Sequence, residues 1–129
     1  MDTIVGHLCR PVVSVDMGAT VQDVLENTDW NKVSSVVVLD QDKNVVGIIS
    51  EKDMVYAESL GIKKKDLKAW QICSKNIVKI SPEDSTAGAA RLMVDHKVHH
   101  VLVMTGDYVE GVVSTMDVLK QFLDSKNSG

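Results

Sequence analysis

The feature that most limits how this chain can fold is an internal repeat that runs through nearly all of it. Gly47-Ile48-Ile49-Ser50-Glu51-Lys52-Asp53 returns as Gly111-Val112-Val113-Ser114-Thr115-Met116-Asp117, with Gly, Ser and Asp coinciding at an offset of 64. Upstream, Val33-Ser34-Ser35-Val36-Val37-Val38 matches Val98-His99-His100-Val101-Leu102-Val103 at an offset of 65. The one-residue difference falls where Gln41-Asp42-Lys43-Asn44 faces Gly106-Asp107-Tyr108, in a turn that can absorb it. The copies also share their openings: Leu8-Cys9 aligns with Ile72-Cys73, and Pro11–Val15 with Asn76–Ile80. Self-similarity at this period means one supersecondary unit used twice.

Each copy reads as β-α-β-β-α. A short strand (Val12–Val15, Ile77–Ile80) precedes a helix start, marked by Thr20 with Asp23 in the first copy and by Asp84-Ser85 after Pro82 in the second. The helices that follow carry apolar or small residues at helical spacing: Val21, Val24, Leu25 and Thr28, then Thr86, Ala89, Ala90 and Met93. Two Val/Ile-rich runs around a polar turn predict a β-hairpin in each copy, Val36–Leu39 with Val45–Ile49 and Val101–Met104 with Val109–Val113. A closing helix ends each unit. Met54, Val55 and Ala57 should line the first, and Leu119, Phe122 and Leu123 the second. The domain reading is 1–62, a linker at 63–68 and 69–129. A copy of about 60 residues buries too little surface to be comfortable alone, so the two are expected to pack through their sheets about a pseudo-twofold axis, with two related clefts.

Composition sets limits on function. Apolar residues make up 44% of the 129 and aromatic residues 4%, so aliphatic side chains must fill the core. A net charge of −4, with both signs dispersed, argues against binding a nucleic-acid backbone; Lys63-Lys64-Lys65 reads as a solvated linker. No apolar run approaches the ~20 residues of a membrane span, and no secretory signal stands at the start. Cys9 and Cys73 form no CxxC pair, occupy equivalent places and read as small buried hydrophobes. A cytoplasmic protein without membrane insertion is expected.

On these motifs the chain resembles a stand-alone tandem CBS-domain pair, or Bateman module. The Gly-apolar-apolar-Ser/Thr-x-x-Asp element, present twice inside a full-length repeat, carries the resemblance. Cysteine stands where the family commonly has Met before the first strand, and Val37 and Leu102 replace the usual Pro of the hairpin's leading strand. The resemblance implies α+β (α/β) repeats that bind an adenine nucleotide (AMP, ADP or ATP) as a regulatory ligand. The signature Asp would accept hydrogen bonds from ribose hydroxyls, and the Ser/Thr and its neighbours would approach phosphate. Carried over, this implicates Ser50, Lys52 and Asp53 in one copy and Ser114, Thr115 and Asp117 in the other. Family members place basic residues near His99 and His100, where the first copy has Ser34 and Ser35, so the clefts should be chemically unequal, the second better suited to phosphate. Adenine would lie against Val12, Val13, Ile77 and Val78, which are also plain core.

Each assignment has a plainer counterpart. Ser-x-x-Asp before an apolar run is also a helix cap that needs no ligand. The two histidines are equally explained as surface or packing residues. His96 and His100 are four apart, but Val98 should already have left the helix, so no metal site is expected. No paired nucleophile and base, metal constellation or phosphate loop marks an enzyme, and no cofactor is required. The resemblance further implies a homodimer formed through helices. A ligand-independent module docking on a partner enzyme or transporter is the alternative, as is another adenosyl ligand such as NAD or S-adenosylmethionine.

Overall fold

The computed structural model describes residues 3–128, with side chains described for 3–124. Its mixed α and β elements carry the expected topology twice. In the first copy β1 (Ser14–Asp16) runs parallel to β2 (Ser35–Leu39), which pairs antiparallel with β3 (Val45–Ser50); α1 (Val21–Asn27) and α2 (Glu51–Ser59) complete it. In the second, β4 (Lys79–Ile80), β5 (His100–Thr105) and β6 (Tyr108–Ser114) repeat this three-stranded order, with α4 (Thr86–His96) and α5 (Thr115–Ser128). A short α3 (Ala69–Ile72) and 3-10 turns at Val5–His7 and Lys64–Asp66 were not foreseen. The opening strands are shorter than the expected Val12–Val15 and Ile77–Ile80. Val13 and Val78 nonetheless hold the leading strands by accepting hydrogen bonds from Val37 N (2.8 Å) and Leu102 N (2.9 Å).

The chain forms two compact units, cut differently from the sequence repeats. One is Val13–Ile77; the other joins residues 3–12 to 78–128. The first is called here the Asp53 unit and the second the Asp117 unit. The opening of each repeat serves the other repeat's hairpin. Arg10 bridges to Val112 on β6, and Ser74 bridges to Ile48 on β3. Residues 63–68 are likewise more than a linker: Leu67 is buried in the core of the Asp53 unit, and its carbonyl accepts from Val21 N at 2.8 Å.

Two small aliphatic cores result. Val21, Val24, Val36, Val38, Ile49 and Ala57 lead one, and Val5, Ala89, Met93, Val101, Val103 and Val113 the other. The closing helices keep part of the expected inward face. On α2 Ala57 is buried and Met54 packs against the core, but Val55 does not, and the three residues expected on α5 are all exposed. Val55 on α2 is 71% exposed and Phe122 on α5 is 68% exposed, with Leu119 and Leu123 also outward. The cause lies at the helix start. Asp53 and Asp117 cap the helix and face the junction, and at 3.6 residues per turn Ala57 and Gln121 share their side, whereas Val55, Leu119, Phe122 and Leu123 fall opposite. Leu25 on α1 is also exposed, while Val21 and Val24 of the same helix are fully buried.

Candidate functional site

In both units the signature forms the junction between a hairpin strand and its closing helix. Ser50 ends β3 and caps α2. Its hydroxyl accepts from Asp53 N at 3.3 Å, while Asp53 Oδ2 accepts from Ser50 N at 2.8 Å and from Ser50 Oγ at 3.0 Å. Ser114 and Asp117 repeat this at 3.2, 2.9 and 3.0 Å. The capping role read from the sequence is therefore real in both copies, and the carboxylate takes part in it. Two donors converge on Oδ2 and use both its lone pairs, so further acceptor capacity rests on Oδ1.

The glycines of the signature have a steric cause. The opening segment passes so close that a Cβ at Gly47 would stand 2.5 Å from Cys73 Sγ and 2.6 Å from Ser74 O. One at Gly111 would stand 2.7 Å from both Cys9 Sγ and Arg10 O. The duplicated cysteines thus pack on the duplicated glycines, a structural role as expected, but half-buried where full burial is expected. Burial pushes both thiols above their ordinary pKa, helped at Cys9 by the negative charge of Glu110 and partly offset at Cys73 by Lys75.

The junctions gather several of the residues singled out from the sequence. In the Asp117 unit His100 pairs with Ser114 across the β5–β6 ladder, and His99 O accepts from Thr115 N at 3.0 Å. In the Asp53 unit the buried Ser35 pairs with Ser50, and Ser34 precedes it. Lys52 and Thr115 are exposed on the first turns of their helices. Val12 and Val78 belong to the Asp117 unit, Val13 and Ile77 to the Asp53 unit, and Val13 and Val78 pack against the cores as expected of plain core residues. His96 is the last residue of α4, and the left-handed Lys97 (φ 56°) turns the chain before His100 opens β5.

One residue of this region escaped the sequence reading. Arg10 donates from Nε to Asp117 Oδ1 at 2.8 Å; the carboxylate side chain is only 6% exposed and that of Arg10 57%. The signal was available: the matching openings differ at this place, where the second copy has Ser74.

A model of the CBS domain matches residues 5–59 and 69–124. Among solved structures, a CBS-domain containing protein from Agrobacterium tumefaciens is 28% identical, with 93% of each chain covered and a TM-score of 0.81. A hexameric CBS-CP12 protein from bloom-forming cyanobacteria is 25% identical over 91% of this chain and 69% of that one, with a TM-score of 0.81. An inosine-5'-monophosphate dehydrogenase from Nitrosopumilus maritimus is 23% identical over 81% of this chain but only 21% of its own length. The chain spans 21–32% of the length of the first curated relatives it matches, so relatives named as enzymes carry much besides the shared region.

Proposed function

The chain belongs to the CBS-domain family, as a tandem pair, and from that premise we propose that it is a regulatory module binding an adenine nucleotide (AMP, ADP or ATP) at its Ser-x-x-Asp junctions. The observation that carries this reading is the repeated carboxylate geometry. With Oδ2 occupied by the cap, Oδ1 of Asp53 makes no hydrogen bond or ion pair among the described residues, which supports a role as acceptor for ribose hydroxyls. A charge-assisted hydrogen bond contributes about 1.5–3 kcal/mol. Lys52 is exposed on the first turn of α2 beside that carboxylate, where its ammonium and the helix N-terminus favour an anionic group against the opposing charge of Glu51. The proposed role is binding and not catalysis.

Thermal denaturation with AMP, ADP, ATP, NAD and S-adenosylmethionine tests this. A specific ligand at 100 times its Kd stabilises the folded chain by about 2.7 kcal/mol. No shift with any of the five would defeat the nucleotide reading.

A second reading, docking on a second copy or on a partner protein, is favoured by a specific surface. Thr86, Ala90, Val94, Val118 and Phe122 line a groove of about 570 Å³ between α4 and α5, with Val94 75% exposed. Apolar area of this kind marks interaction surfaces. Sedimentation that stays monomeric at every concentration would count against self-association through these helices.

A further inference from the structure

We propose that Arg10 is an intrachain gate that closes the carboxylate of the second repeat to a ribose diol and leaves Asp53 as the primary acceptor. This rests on the nucleotide reading and reverses the ranking of the two copies expected from His99 and His100.

The argument begins with lone pairs. A vicinal diol donates up to two hydrogen bonds, and a carboxylate oxygen accepts two. In each copy the cap consumes Oδ2, through Ser50 N and Oγ or Ser114 N and Oγ. Both acceptances must then come from Oδ1. At Asp53 that oxygen is unengaged among the described residues, and the residue is half-buried. At Asp117 one lone pair of Oδ1 is held by Arg10 Nε, and the residue is 5% exposed. A diol can place both its hydrogen bonds on Asp117 only if the guanidinium leaves.

Arg10 is held in place by the backbone. Its N–H donates to Val112 O at 3.0 Å and its carbonyl accepts from Val112 N at 2.9 Å, so it sits beside β6 just before the Ser114–Asp117 cap. The close approach that Gly111 permits brings it there. Ser74 is fixed beside Ile48 on β3 by the same two bonds, at 2.9 and 3.0 Å, but its side chain is neutral and too short to form an ion pair. The next basic residue, Lys75, lies over the Trp70 ring at 6.0 Å. The backbone frame is duplicated, whereas among the described residues a cation pairs with the signature carboxylate only in the Asp117 unit.

Titration calorimetry with AMP and ATP on the full chain, its Arg10→Ala and Arg10→Met variants, Asp53→Asn and Asp117→Asn is the test. Thermal melts confirm that each variant is folded, and Arg10→Met keeps the packing of the side-chain stem. The gate predicts one tight equivalent per chain in the wild type, retained in Asp117→Asn and lost in Asp53→Asn. Both Arg10 variants should gain a second equivalent, or tighten the weaker site roughly tenfold, a change of about 1.4 kcal/mol. Two equal sites in the wild type, loss of the tight site in Asp117→Asn, or weaker binding in the Arg10 variants would overturn the gate while sparing the nucleotide reading. Silence in every protein, Arg10 variants included, would overturn both.

Discussion

Gly47 and Gly111 are kept small by what lies above them, and so their replacement acts through packing. A methyl group at Gly111 must push aside the carbonyl of Arg10 as well as the Cys9 thiol, and that carbonyl is held by the N–H of Val112 while the Arg10 N–H is held by Val112 O. Overpacking against backbone costs about 1–3 kcal/mol. Gly111→Ala should lower the urea midpoint accordingly, and Gly47→Ala likewise, because Cys73 and Ser74 O stand equally close. Pairing Gly111→Ala with Cys9→Ala should recover only part of the loss, since the carbonyl remains. Full recovery would show that the thiol alone sets the limit. The glycine signature was legible in the sequence, but its cause was not. The partner segment lies about 100 residues away for Gly111, and no local pattern reports such a contact.

At the scale of elements, the hairpins and the caps were the most legible parts. Alternative placements of Val36–Leu39 or Val101–Met104 would bury charged turn residues, and Thr20, Ser50 and Ser85 each accept a backbone N–H from three residues on. Met54 and Ala57 of α2 pack inward as their apolar character predicts, whereas Val55 and the apolar residues Leu119, Phe122 and Leu123 of α5 do not, because the capping aspartates set the phase of these helices. Helix α4 ends on a different device: its C-cap, Lys97, adopts a left-handed conformation at φ 56°. A side chain bearing Cβ is disfavoured there by about 1 kcal/mol relative to glycine. Lys97→Gly should therefore raise the thermal midpoint, by an amount equivalent to about 0.5–1 kcal/mol. A drop would mean that the Lys97 side chain contributes more than the strain removed.

The whole molecule carries a consequence that neither residue nor element reveals. Residues 5–10 belong by sequence to the first repeat but fold with the second, where Val5 is fully buried among Val78, Ala89, Val101 and Val113. Val5 N also donates to Asp84 O at 2.8 Å, and Gly6 N to Pro82 O at 2.9 Å. The crossing was hidden in the sequence because both openings align with each other, which shows equivalence and not which hairpin each one covers. Removing two methyl groups by Val5→Ala leaves a cavity in the smaller aliphatic core, at a cost of about 2 kcal/mol. Hydrogen exchange locates that loss. Protection should fall in β4–β6 and α4, more than 70 residues downstream, while β2 and β3, nearer in sequence, hold theirs. If β2 and β3 lost protection first, the opening segment would belong to its own repeat, and Arg10 would have no fixed place from which to reach Asp117.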